Sequence, residues 1–189
     1  MGIGWEPEPT EDLTGICASM QGLVHGHAPK TFNVLRGTWR GRQVRLFALE
    51  FTVGGGRNRR TVRKKVALAP LPDAWPFLSI RPETLGDKLA DALGADDIDF
   101  ESQEFSNRFW VKSEDRRFAY DLIHPRMMQF LLGPGWQEWQ VRGAFLALWT
   151  EGPLEAADVQ PALERLIGFL DLWPPHVVGQ RREAEAVQA

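Results

Sequence analysis

Two alternating segments on either side of three consecutive glycines constrain the fold of this chain more than any other feature. Residues 43–53 place apolar side chains at every second position, with Phe47, Leu49 and Phe51 on one face, which is the period of a β-strand. Residues 60–68 have a similar strand-like composition, and Gly54, Gly55 and Gly56 supply a flexible connection. The pattern predicts a long antiparallel hairpin.

The remaining segments predict further strands followed by helices. Glycines predict a turn at residues 37–41, and three prolines predict an irregular crossing between residues 68 and 77. The predicted strands cover residues 32–36, 77–80, 98–100 and 109–112, with a later hairpin over 139–149 that turns at Arg142 and Gly143. The predicted helices cover residues 13–20, 82–93, 114–123, 126–132 and 158–173, with Ser113 capping the third and Asp158 the last. This order is typical of an α+β fold with a largely antiparallel β-sheet, helices packed on one side and a C-terminal amphipathic helix.

Length and composition are those of one globular domain. The chain has 189 residues, of which 43% are hydrophobic and 25% charged, so it can bury a core without a metal or a disulfide. We expect an N-terminal extension with a short helix at residues 1–29, a single α+β domain at 30–176 and a disordered tail at 177–189.

The chain carries one cysteine, Cys17, which cannot form an intrachain disulfide and favours a reducing compartment. The first residues include neither a basic start nor an apolar run, which argues against a signal peptide. The longest apolar run, residues 144–149, is far shorter than the roughly 18 residues of a membrane span. We therefore expect a soluble cytoplasmic protein with no transmembrane segment. Its net charge of −3 argues against general attraction to nucleic acid or anionic lipid.

Motifs of common catalytic sites are missing from the sequence. There is no Walker A loop, dinucleotide fingerprint, nucleophile elbow or H-E-x-x-H sequence. Cys17, His25 and His27 with Asp12 could be drawn as a metal site or a Cys–His pair, but Cys17 falls on the apolar stripe of its helix, where a thiol behaves as a small hydrophobe. The acidic stretch that begins at Asp96 lacks the glycine and glutamate of a calcium-binding loop. We assign no catalytic, cofactor-binding or metal residues, and no cofactor.

Basic residues are concentrated beside the glycine connection, within nine positions of the chain: Arg57, Arg59, Arg60, Arg63, Lys64 and Lys65. Such a patch could contact a protein or another anionic partner, or it could be a solvated hairpin whose charges prevent aggregation. The connection holds no aromatic side chain that would stack on bases, so it gives no strong nucleic-acid signal.

Residues 101–132 resemble a family of uncharacterised bacterial proteins. The shared residues read E-S-x-x-F from Glu101, F-x-V from Phe109, then Asp115, P-x-x-M from Pro125 and L-L at Leu131. The resemblance spans residues 30–176 and implies a fold without assigning an activity. The physical interpretation of these positions is that they fill an interior and cap helices.

Three functions are compatible with these features, and we favour the first over the two alternatives. The first is a non-catalytic interaction or regulatory module that uses the basic patch. The second is a hydrolase-like enzyme with carboxylates around Glu101 and Asp115, which would require a pocket holding polar side chains of shifted pKa. The third is a module that binds anionic lipid.

Overall fold

The computed structural model describes residues 2–6, 13–83, 98–136 and 138–175. They form one antiparallel sheet of six strands, with five helices packed on it. The strands are β1 (Gly2–Glu6), β2 (His27–Trp39), β3 (Arg42–Val53), β4 (Arg60–Pro82), β5 (Phe109–Ser113) and β6 (Glu138–Glu151). The helices are α1 (Leu13–Ser19), α2 (Gln103–Ser106), α3 (Arg116–Leu122), α4 (Pro125–Leu132) and α5 (Ala156–Asp171). The predicted α+β fold, with its antiparallel sheet and C-terminal helix, is confirmed.

The long strand β4 organises the sheet. Along one edge of β4, its first half pairs with β3 and its last five residues pair with β5. The opposite edge of β4 pairs with β6 over most of its length. Strands β2 and β1 continue the sheet beyond β3. Residues 2–6 therefore belong to the same sheet as the strands that follow.

Two predicted interruptions of the strands are wrong. The prolines between residues 68 and 77 shift the register between β4 and β6 but leave β4 unbroken. The hairpin predicted at Arg142 and Gly143 is instead part of the continuous strand β6, where Gly143 lies opposite Trp75 with φ +54°, and the register shifts on either side of that pair place the extra residues in β4. An extra residue at a bulge exchanges the two faces of a strand. In both β4 and β6, therefore, the face occupied by even-numbered residues at one end of the strand is occupied by odd-numbered residues at the other end.

The turn between β2 and β3 is tighter than predicted. Residues 37–39 remain in β2, and the turn consists of Arg40 and Gly41, with φ +47° and +79°. Positive φ at both central residues is the geometry that matches the twist of a two-residue hairpin.

Each face of the sheet has its own hydrophobic core. Helices α3, α4 and α5 cover one face, and the aromatic and aliphatic residues of the 101–132 stretch are buried there: Phe105, Phe109, Phe118, Leu122, Met127 and Leu131. Helix α1 covers the other face with Leu13, Cys17 and the following Met20 and Leu23, which pack on Phe47, Leu49 and Phe51. Most helices thus lie on one side, and the short first helix lies on the other.

Local capping differs from the predicted capping at two helices. Asp115, rather than Ser113, caps α3, since its Oδ1 accepts a hydrogen bond from the Phe118 amide at 3.0 Å. Helix α5 begins after Glu155, and Asp158 sits three residues later, where it accepts a hydrogen bond from the Glu155 amide.

Three further predictions concern residues 82–100 and the C-terminus. Residues 98–100 do not form a strand, although the Ile98 amide donates to the Val111 carbonyl at 3.0 Å. The helix predicted at 82–93 lies, but for its first two residues, outside the described residues, and so does the tail at 177–189.

Candidate functional site

The basic patch is divided by the alternation of β4. Arg57, Arg59 and Arg60 are exposed around the β3–β4 connection, and none of them forms an ion pair with the described part of the chain. Arg63 is also exposed, but its Nε donates to Glu50 Oε2 at 2.9 Å across the hairpin. We refer to these four arginines and their connection, residues 54–63, as the arginine hairpin.

Lys64 and Lys65 do not belong to this surface, which corrects the predicted patch. Lys64 is only 3% exposed, and its ammonium donates to the Gly22 carbonyl at 3.0 Å. Lys65 points to the opposite face, where it pairs with Asp158 of α5. Successive residues of a strand point to opposite faces, so a run of basic residues in β4 cannot form one patch.

A polar pocket of about 210 Å³ lies on the α1 side of the sheet. Three strands and the loop that follows α1 line it, with Ser79 and Arg81 from β4, Trp110 and Lys112 from β5, and Glu138 and Trp149 from β6. The faces of β4 and β6 are exchanged at the bulges. On the α1 side of the sheet, one end of each strand therefore carries core residues and the other end carries the polar residues of the pocket. The pocket is therefore a product of the bulges.

Specific contacts hold the walls of the polar pocket in place. Gln140, which is 1% exposed, accepts a hydrogen bond from the Gln21 amide at 2.7 Å and donates one to the Gln21 carbonyl at 3.0 Å. These two bonds fix the loop after α1 to β6. The Arg81 guanidinium stacks on the Trp110 ring, 4.3 Å from its centroid.

Two ionisable groups at the polar pocket have shifted pKa values. Burial raises the pKa of Glu138, while Lys64, the Trp149 indole and Arg81 pull it down to a lesser extent. Burial likewise lowers the pKa of Lys64, against the smaller attraction of Glu138 and Glu151.

An apolar groove of about 500 Å³ lies on the other side of the sheet, at the C-terminal end of α5. Its walls include Leu71 and Trp75 of β4, and Leu170 and Trp173 at the end of the helix. At its rim, Arg42 Nη2 lies 3.2 Å from Asp171 Oδ1. The groove lies at the start of β3, whereas the arginine hairpin follows the end of that strand.

Other residues considered from the sequence do not come together. Glu101 is exposed, and the Asp115 carboxylate is committed to capping α3. Cys17 is buried beneath the sheet, whereas His25 and His27 are exposed. Asp12, Asp96 and Asp97 lie outside the described residues. In the part of the chain that is described, no three His, Cys, Asp or Glu side chains are grouped so that they could hold a metal ion.

The sequence did not identify the polar pocket, because its residues come from positions as far apart as 21 and 149. A local signal was present: Ser79 and Arg81, and likewise Glu138 and Gln140, are polar residues two apart in strands that are otherwise largely apolar. Two polar residues at a spacing of two mark one polar face.

Comparison with known proteins yields a likeness of fold. No family model matches the chain, and no curated protein matches it. The chain is similar to the crystal structure of the mycobacterial trehalose monomycolate transport factor A, TtfA, with a TM-score of 0.59 and 15% sequence identity. The similarity covers 92% of this chain and 89% of that chain. Among the described helices of this protein, none has the length and hydropathy to cross a membrane.

Proposed function

We propose that this chain is a non-catalytic interaction module whose arginine hairpin binds an acidic surface on a partner protein. The observation that carries the proposal is the set of three exposed guanidinium groups, on Arg57, Arg59 and Arg60, that have no ion pair within the described residues. A guanidinium is charged at every physiological pH and presents paired donors that match a carboxylate. The cytoplasm is the compartment in which we propose that the module works.

The chemistry of the hairpin favours a protein over a membrane or a nucleic acid. Residues 54–60 include no apolar and no aromatic side chain. Surfaces that insert into a bilayer combine basic residues with apolar ones, and single-stranded nucleic acids are held partly by aromatic stacking. The large hydrophobic side chain that is exposed within the described residues, Tyr120, belongs to α3 rather than to the hairpin.

The hydrolase alternative has less support at the residues that suggested it. Glu101 is exposed, and Asp115 uses its carboxylate to cap a helix. Neither arrangement offers a water-excluded pair of carboxyl groups for acid–base chemistry. The neighbour in fold is named a transport factor, which is compatible with an accessory protein that binds rather than transforms.

Binding to poly-L-glutamate, a defined acidic probe, tests the proposal. Fluorescence anisotropy at low salt measures the affinity. Replacing Arg57, Arg59 and Arg60 with Ser should weaken binding by about tenfold, since each exposed ion pair contributes up to about 1 kcal/mol. The melting temperature should stay unchanged, because these exposed side chains make no ion pair with the residues that the structure describes.

A matched variant removes the same charge elsewhere. Arg116, Arg117 and Arg126 are exposed at the starts of α3 and α4, and their replacement with Ser should change the affinity by less than about twofold. Equal losses in both triple variants would mean that only net charge matters, and would contradict the proposal. Stronger hairpin-dependent binding to phosphatidylglycerol vesicles than to polyglutamate would favour the lipid alternative instead.

The apolar groove favours a second candidate function, the binding of an amphiphile with a long apolar chain. The groove has the volume and the mainly apolar and aromatic walls of small-molecule sites, and Arg42 at its rim could attract an anionic head group. The fold neighbour is named a trehalose monomycolate transport factor, which suggests the class of ligand to try first.

A fluorescent fatty acid, cis-parinaric acid, is the probe for this second function. Leu71→Glu puts a charge in the groove and should abolish saturable binding, whereas Thr61→Glu, at an exposed position of the same strand, should leave it unchanged. Absence of saturable binding to the unmodified protein would remove this candidate without affecting the arginine hairpin.

A further inference from the structure

The walls of the polar pocket carry more hydrogen-bond donors than acceptors among their side chains. The indole Nε1 atoms of Trp110 and Trp149 are buried; that of Trp110 forms no hydrogen bond with the described residues, whereas that of Trp149 interacts with the Glu138 carboxylate. A buried donor left without an acceptor loses the hydrogen bonds that it makes to water in the unfolded chain, and such groups are rare in native proteins. Trp110 lines the pocket, so a ligand that bears a hydrogen-bond acceptor could satisfy its indole N–H.

Positive charge exceeds negative charge at this pocket. Arg81 and Lys112 line it, with Lys64 in the wall behind Trp149, against Glu138 and the more distant Glu151. Lys112 has no ion pair within the described part of the chain. Its ammonium is therefore available to a ligand.

Glu138 is compatible with an anionic ligand in spite of its own charge. Its carboxylate interacts with Lys64 and Arg81, which offset its field. Burial also raises its pKa, which favours the neutral form, and a neutral carboxyl group donates a hydrogen bond. Glu138 thus adds either a compensated charge or another donor.

The size of the pocket limits the ligand. About 210 Å³ is below the range of drug-sized sites, so the pocket takes a molecule of a few non-hydrogen atoms. The wall formed by Gln21 is fixed to Gln140 by two hydrogen bonds, which holds this volume open without help from a ligand. A rigid, donor-rich site of this size matches a small oxyanion.

We infer that the polar pocket binds a small oxyanion, a carboxylate or a phosphate, through Lys112, Arg81 and the indole N–H group of Trp110. The Ser79 hydroxyl, on the β4 wall, is a further donor within the same site. This site is independent of the arginine hairpin and of any partner that the hairpin binds.

Isothermal titration with three probes tests the inference: inorganic phosphate, pyruvate and choline chloride. We expect saturable binding of phosphate or pyruvate at or below about 10 mM, and none of choline. Preference between the two anions identifies the class of ligand. No saturable binding of either anion, or an equal response to choline, would overturn the inference.

Two variants locate the binding. Lys112→Met should weaken it by about tenfold, the effect of losing one charge-assisted hydrogen bond, while Lys30→Met at an exposed site on β2 should leave it within about twofold. Lys112 is only half-buried, so its loss should leave the fold intact. Equal affinities of the two variants would overturn the site.

Nuclear magnetic resonance adds a direct readout on the unmodified protein. The indole N–H signal of Trp110, assigned through Trp110→Phe, should move on titration with the anion that binds. A signal that stays in place at saturation would mean that the anion binds elsewhere.

Discussion

The ammonium of Lys65 lies 2.5 Å from Oδ1 of Asp158, and this ion pair joins β4 to the first turn of α5. Both side chains are less than one-fifth exposed, at 17% and 18%. Oδ2 of the same carboxylate accepts the Glu155 amide, so one aspartate both caps the helix and attaches it to the sheet. The sequence pattern had placed Lys65 on a contact surface, whereas its role in the structure is to hold α5.

Lys65→Met should therefore lower the free energy of unfolding by about 1–3 kcal/mol, because it leaves a largely buried carboxylate without its cation. Arg63→Met is the matched control, since the Arg63–Glu50 pair is much more exposed and should contribute less than about 1 kcal/mol. Urea denaturation measures both. A cost for Lys65→Met no larger than that of the control would contradict this role.

Arg165 holds the end of α4 to α5. Its guanidinium donates at 3.0–3.3 Å to four backbone carbonyl groups, those of Phe130, Leu131, Gly133 and Trp136. Lysine carries the charge but not the planar set of donors, so Arg165→Lys should lower the free energy of unfolding by about 2–3 kcal/mol. Arg117→Lys, on the exposed face of α3, should change it by less than about 0.5 kcal/mol in the same denaturation experiment. Equal effects of the two would show that the carbonyl contacts contribute nothing.

Gly26 allows the loop after α1 to approach β3 closely. A β-carbon at this position would clash with the Thr52 carbonyl oxygen and lie 2.8 Å from the Phe51 ring. Gly26→Ala should therefore lower the free energy of unfolding by about 2 kcal/mol or more. Gly55→Ala is the control, because a β-carbon there contacts nothing within 4 Å. Thermal unfolding that shows equal stability for the two variants would contradict this close approach.

Glu138 makes stability depend on pH in a defined direction. Burial raises its pKa above the ordinary value of 4.5, so the folded protein holds this proton more tightly than the unfolded chain. The stabilisation from the protonated form is thus present at low pH and is lost as pH rises through the folded-state pKa. The glutamine in Glu138→Gln has no proton to lose. The free energy of unfolding of this variant, minus that of the unmodified protein, should therefore increase from about pH 4.5 to pH 7.

Denaturation at several pH values checks this prediction. Glu101→Gln is the control, because it measures how the loss of one exposed carboxylate changes the free energy of unfolding at each pH. A difference between Glu138→Gln and the unmodified protein that stays constant or shrinks as pH rises would mean that burial does not dominate at Glu138.

The sequence was sufficient to predict the fold class, because hydrophobic periodicity and turn residues are local signals. The alternation of residues 43–53 identified β3, and the apolar spacing from Leu13 identified α1. The sequence was insufficient to predict the register shifts between β4 and β6. The residues around Gly143 are compatible with either a turn or a continuous strand. Only pairing with β4 along the whole strand decides between them.

The candidate sites were harder to predict, because they depend on faces rather than on composition. Six basic residues in nine positions indicated one patch, but alternation along β4 turned Lys64 inward and Lys65 toward α5. The polar pocket depends on register across three strands and on a loop more than 100 residues away in sequence. Such a site becomes visible only when the register is known.

A titration of poly-L-glutamate into the isotope-labelled protein, followed residue by residue by nuclear magnetic resonance, tests the proposed function most directly. The amide signals of residues 54–60 should move first and furthest, and 0.5 M salt should reverse the change because exposed charges are then screened. Largest shifts at Arg116, Arg117 or any other site, with residues 54–60 unmoved, would contradict a contact role for the arginine hairpin.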